Sequence, residues 1–190
     1  YGYFGFWKQP SSQTESGRAT FSKLNVYGAS IRGQVGPGIG NIEFAFYQSV
    51  DDKNGLNPLT ANSEMRYLAG YTMDLAKDFN VSLQYYIQHL LDYNNYEETF
   101  SGVSAKDENR HVITLQLTKL LMSQNLELSL ASYYSSSDKD AYLRPNIHYK
   151  YTDEIALEAG ANIFFGEEPE TFFSQFENNT NIYAAVRYNF

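Results

Sequence analysis

The 190-residue chain is acidic, with net charge −8, a mean hydropathy of −0.46 and no cysteine. The length suits a single domain spanning 1–190. No run approaches the roughly 18 apolar residues of a transmembrane helix, and the lack of cysteine excludes a disulfide scaffold, a Cys-ligated zinc site and c-type haem attachment.

The acidic balance argues against nucleic acid as a partner. The 17 Tyr and 13 Phe, against a single Trp, give many amphipathic rings suited to places where apolar surface meets water. The chain opens on Tyr1-Gly2-Tyr3-Phe4-Gly5-Phe6-Trp7-Lys8, which already reads as strand, and no signal peptide is visible. The favoured reading is the C-terminal part of a longer chain. The alternative is an export signal already removed.

About ten strands follow, over 1–9, 22–34, 40–50, 63–74, 80–91, 110–119, 126–136, 141–151, 155–165 and 181–190. No helix-period stretch competes with them. Taken in order, one face carries Tyr27, Ala29 and Ile31, then Ile42, Phe44 and Phe46, then Met65, Tyr67, Ala69 and Tyr71. It continues through Val81, Leu83, Tyr85 and Ile87, Ile113, Leu115 and Leu117, Leu126, Leu128 and Leu130, and Leu143, Ile147 and Tyr149. Ile155, Leu157, Ala159, Ala161 and Ile163 complete it before the last strand. Almost no charge falls on this face, as a lipid-facing band requires, since a basic charge at the bilayer midplane costs about 2–4 kcal/mol.

The other face carries Arg32, Glu43, Arg66, Gln84, Thr114, Gln116, Glu127, Ser129, Arg144, Asn146, His148, Lys150, Glu158, Asn162 and Arg187. A dry core does not accept so many ionisable groups, whereas a water-filled lumen does. Reflection across the short turns puts Arg32 near Glu43 and Lys150 near Glu158, which are favourable cross-strand pairs. The constriction candidates are Arg32, Glu43, Arg66, Arg144, His148, Lys150, Glu158 and Arg187. They can select solutes by sign and can also fix register, and the excess of Arg and Lys points to anionic or polar solutes.

The connections alternate between short and long. Residues 35–39, 75–79, 120–125 and 152–154 are short, while 10–21, 51–62, 92–109 and 166–180 are long, and 137–140 departs from the rule. Pro145 on the apolar face predicts a local break in the eighth strand. The acidic connections, including Asp51, Asp52, Glu97, Glu98, Asp107, Glu108, Asp138, Asp140, Glu167, Glu168, Glu170 and Glu177, are read as solvated loops rather than a cation site. Phe172, Phe173 and Phe176 would be costly if exposed, so the last long loop folds into the lumen, covers its mouth or extends the strands beside it.

The chain closes on Ile182, Ala184, Val186, Tyr188 and Phe190, alternating with Tyr183, Ala185, Arg187 and Asn189. This ending resembles the C-terminal assembly signal of bacterial outer-membrane β-barrels. The whole stretch resembles the C-terminal part of porin-type barrels. The run from Tyr142-Leu143-Arg144-Pro145 through Gly160 to Gly166 and Thr171-Phe172-Phe173 to Asn181 is similar to a largely uncharacterised group of Gram-negative barrels.

The resemblance implies an all-β fold: a transmembrane, antiparallel, up-and-down barrel, of which this chain is a portion. It implies outer-membrane localisation, with lipid and lipopolysaccharide as surroundings and the barrel-assembly machinery as a partner during insertion. The leading function is a porin-like channel for small polar or anionic solutes. The alternatives are a scaffold barrel sheathing another envelope chain such as a cytochrome, or a client held on the assembly machinery. No cofactor, metal ligand or catalytic residue is assigned. His89, His111 and His148 are followed two residues on by Leu91, Ile113 and Lys150, so the His–Ser spacing of barrel phospholipases is absent.

Overall fold

A computed structural model describes residues 1–100 and 105–190. The long connection 92–109 therefore lies partly outside the described residues. Among the described residues twelve strands form: β1 (Gly2–Phe6), β2 (Ser12–Gln13), β3 (Ala19–Thr20), β4 (Lys23–Val35), β5 (Gly38–Ser49), β6 (Glu64–Ala76), β7 (Phe79–Leu90), β8 (Asn109–Leu121), β9 (Leu126–Ser135), β10 (Asp140–Lys150), β11 (Ile155–Gly166) and β12 (Asn181–Tyr188). Ten of them make one sheet in the order β1-β4-β5-β6-β7-β8-β9-β10-β11-β12, and β2 pairs with β3 separately. Each predicted strand is present. The sheet is all-β and antiparallel, its order is linear, and β1 and β12 are its two edges.

Short connections follow from local chemistry. Gly36 at φ 58 precedes Pro37, whose ring fixes a negative φ, the sign pattern of a type II′ hairpin turn. Asp78 takes φ 56 between β6 and β7, and Met122, Ser123 and Gln124 take positive φ between β8 and β9. The other connections hold structure of their own. A short helix α1 (Tyr93–Thr99) and a 3₁₀ turn over Ser174–Asn179 were not expected. Neither is long or apolar enough to cross a membrane.

The described chain divides into two compact units. One comprises 1–31, 42–68 and 86–110. Its small apolar core is Leu24, Val26 and Ala45, with Tyr3, Trp7 and Tyr47 packed against it. The pairing of Tyr3 with Val26 and Gly5 with Leu24 brings β1 onto this core. Within the same unit the two first long connections are knitted together. The Ala61 amide donates to the Ser11 carbonyl at 2.8 Å and the Gln13 amide to Leu59 at 2.8 Å. Asp52, read as a solvated loop residue, is instead buried and accepts from the Leu56 and Asn57 amides at 3.2 and 2.9 Å.

The second unit comprises 32–41, 69–85 and 111–190. Register is continuous from Val112–Ser135 to Leu121–Leu126 between β8 and β9, and from Asp140–Ser135 to Tyr149–Leu126 between β10 and β9. Pro145 does not break β10. It keeps its pairing with Leu130, and the interruption falls on the other side, where the ladder to β11 skips Arg144 and Pro145 between Leu143–Ile163 and Asn146–Gly160. The missing amide of proline accounts for this. Gly160 beside the gap leaves room for the Pro145 carbonyl and the Tyr183 hydroxyl, which an added Cβ would meet at 2.8 and 2.6 Å.

Candidate functional site

Alternation on each strand sends successive side chains to opposite faces. The face with Ile31, Ile42, Leu83, Ile113, Ile147, Leu157, Ile182 and Val186 is apolar and exposed: Ile31 is 71% exposed, Ile42 63% and Ile182 88%. The face with Glu64, Asp140, Ser49 and Ser135 holds buried polar groups, Glu64 being 4% exposed and Asp140 1%. This inverts the arrangement of a sheet whose apolar face is its core. The polar face is the candidate site, and each unit contributes its own cluster.

In the first unit Glu64 is the hub. Its Oε1 accepts from Arg66 Nε at 2.6 Å and pairs with the same guanidinium through Nη2, while its Oε2 accepts from Gln88 Nε2. The Arg66 guanidinium lies 3.9 Å from the centre of the Tyr47 ring, a cation–π contact, and Tyr47 packs on Trp7 at 5.9 Å. Arg66 was expected on this face. Glu64 was not, although it precedes Arg66 by two residues and so shares its face; its place at the strand's first position hid it.

In the second unit an open polar groove of about 330 Å³ is lined by Gln116, Thr118, Glu127, Ser129, Arg144, Asn146 and Glu158, among others. Glu158 is its hub. Arg187 Nη2 donates to Oε2 at 2.7 Å and Asn146 Nδ2 to Oε1 at 2.9 Å, while Asn146 also donates to the Tyr183 hydroxyl at 2.9 Å. Arg144 lies beside Tyr183 and within electrostatic reach of Glu158. His148 stands opposite Glu127 on one side and Glu158 on the other.

Lys150 was expected beside Glu158 but pairs with Asp153 at 2.7 Å. Register explains this, because Lys150 faces Ala156 and the tight turn brings Asp153 within reach. The Lys150 ammonium holds the Asp153 carboxyl below the usual carboxylate range. Arg32 falls in the second unit and Glu43 in the first, and both side chains are exposed.

The last long loop does not extend its flanking strands. It folds onto polar-face rings, with Phe173 5.8 Å from Tyr133 and 5.7 Å from Tyr142, and Phe176 5.7 Å from Phe164. Tyr142 in turn stacks on Phe164 at 4.7 Å. Asp140, grouped with the solvated acidic loops by its neighbours in sequence, is buried here and corrects that reading. Its Oδ2 accepts from the Phe173 amide at 2.7 Å, which fastens the loop to the first residue of β10. The burial of Asp140 comes from the loop that covers it, which a single-strand pattern does not reveal.

Ile182, Ala184, Val186 and Tyr188 lie on the apolar face of β12. Ile182 faces Ala161, Ala184 faces Ala159, Val186 faces Leu157 and Tyr188 faces Ile155, with Phe190 following 6.5 Å from the Tyr188 ring. Among the described residues no group of three or more His, Asp or Glu is placed to hold a metal ion. No protein-family model and no curated protein matches this sequence.

Proposed function

We propose that the chain is part of a transmembrane β-barrel of the bacterial outer membrane, acting as a porin-like channel for small polar or anionic solutes. One observation carries the reading: the exposed face of a ten-stranded antiparallel sheet is apolar while carboxylates are buried on the other. Water penalises that arrangement, and lipid outside with water inside rewards it. Length alternation of the connections adds support, with tight turns at one end of the strand pairs and longer segments at the other except between β9 and β10.

The bare edges of β1 and β12 need partners in lipid, supplied by further strands or by closure. Arg32 has no ion-pair partner among the described residues, which favours polar or anionic solutes over cations. The test is single-channel recording in a planar bilayer under a salt gradient. Discrete steps with an anion-signed reversal potential are expected. A folded barrel that stays silent refutes the channel and turns attention to a scaffold role. The unpaired edge of β12 is the observation that favours a strand-binding partner as the second reading.

A further inference from the structure

Lys119 stands on the wrong face. Its neighbours at alternate positions on β8 are Ile113, Leu115, Leu117 and Leu121, and across the ladder it faces Leu128, with Leu117 opposite Leu130 and Leu121 opposite Leu126. In the second unit β9 to β12 carry no charged side chain on this face among the described residues. The Lys119 ammonium has no ion-pair partner among the described residues. It is held by one neutral acceptor, the Lys77 carbonyl at 2.8 Å, and lies 6.0 Å from the centre of the Phe79 ring. Lys77 brings a second ammonium on the residue that Lys119 grips, in the tight turn after β6.

A cation with no carboxylate partner among the described residues therefore sits at the rim of a partly exposed apolar surface, two residues from the end of its strand. The complementary molecule has an anionic head and long apolar tails. We propose that Lys119, with Lys77, binds the phosphate of an anionic glycerophospholipid in the leaflet on the tight-turn side. Leu117, Leu121, Leu128 and Leu130 provide the surface for its acyl chains. Phosphate oxygens accept charge-assisted hydrogen bonds from ammonium groups, and the low dielectric beside the acyl region weakens screening of the pair. The long side chain reaches the headgroup level from an apolar position. This inference rests on the membrane reading above and adds to it a ligand class and a site.

The test uses the full-length protein, with every strand that completes the sheet, refolded into vesicles of phosphatidylcholine, with and without phosphatidylglycerol of the same acyl length. Melting is followed by the gel mobility of folded against unfolded protein. Wild type is expected to melt several degrees higher with phosphatidylglycerol, and Lys119→Gln to lose most of that gain. Lys119→Arg should keep it, and Lys139→Gln, at a loop paired with Glu167, should leave it unchanged. An equal gain in wild type and Lys119→Gln overturns the site while leaving the membrane reading intact. Failure of wild type to enter either vesicle overturns the membrane reading itself. Should Lys119→Gln alone fail to insert, a photoreactive phosphatidylglycerol decides on wild type. Crosslinks confined to 77–79 and 117–121 support the site, and crosslinks spread evenly over the apolar face overturn it.

Discussion

Leu83→Arg separates a lipid-facing sheet from a water-facing one by a wide margin. Leu83 lies on the apolar face of β7 and is 52% exposed. It is four residues from the strand's start at Phe79, a path of about 13 Å at roughly 3.3 Å per residue. With a strand tilt of about 40°, that path becomes a depth of about 10 Å in an apolar band about 25 Å tall. In the proposed barrel Leu83 would thus sit within a few ångströms of the midplane, where an arginine costs about 2–4 kcal/mol. The folded population in a denaturant titration falls by roughly 30- to 1,000-fold, at about 1.4 kcal/mol per factor of ten. On a water-facing surface the same substitution stays within about 0.5 kcal/mol. The assay is equilibrium unfolding from phosphatidylcholine vesicles, read by the fluorescence of the single tryptophan, Trp7. Gln84→Arg, one residue on and facing the other way, is the control and should be nearly neutral. A Leu83→Arg protein as stable as the control refutes the lipid-facing assignment.

Three further outcomes are expected. Glu158→Gln releases Arg187 and Asn146 from their carboxylate, so reversal potentials in the same salt gradient should move toward stronger anion preference; an unchanged potential places Glu158 away from the ion path. Asp140→Ala removes the buried acceptor of the Phe173 amide, at a cost of about 1–3 kcal/mol. Limited proteolysis should then cut within 167–180 far sooner than in wild type, and an unaltered digestion pattern argues that the ring contacts alone hold the loop. Asp153 titrates below an ordinary aspartate because Lys150 stabilises its charged form. Its pairing therefore supports folding above the unfolded carboxylate value and fades as pH falls through the lower folded value. Carboxyl NMR shifts should show that midpoint rise in Lys150→Gln and in high salt, since the pair is exposed.

The strands were legible because period-2 alternation over ten or more residues leaves little else for the chain to do. Ile113, Leu115 and Leu117 against Thr114, Gln116 and Thr118 is one instance, and the β8–β9 register places each set on its own face. The tight turns were legible through Gly36-Pro37 and through Asp78. The helix α1 was less so. Tyr93, Tyr96 and Phe100 carry a helical spacing and pack ring on ring at 5.9 and 5.3 Å, but the signal is barely two turns long. Asn95 also anchors the segment to the Asn54 carbonyl at 2.8 Å, a contact with no local trace. Glu64 and Asp140 were obscured for a related reason. Each begins a strand beside a loop, and its burial depends on partners distant in sequence: Gln88 for one and Phe173 for the other. Charged residues could be assigned to a face from the sequence, but their pairing depends on turn geometry, as Lys150 and Asp153 illustrate.

The skipped rungs at Arg144 and Pro145 have a mechanical meaning. The hairpin of β11 and β12 is joined to β10 by two separate ladders, one over 140–143 with 163–166 and one over 146–150 with 156–160. A load drawn along β12 meets two short zippers in series rather than one long one. The lower can open while the upper, weighted by Tyr142, Phe164 and the loop clasped at Asp140, still holds. The hairpin of β11 and β12 can thereby be parted from β10 in stages, and added to it in stages as well.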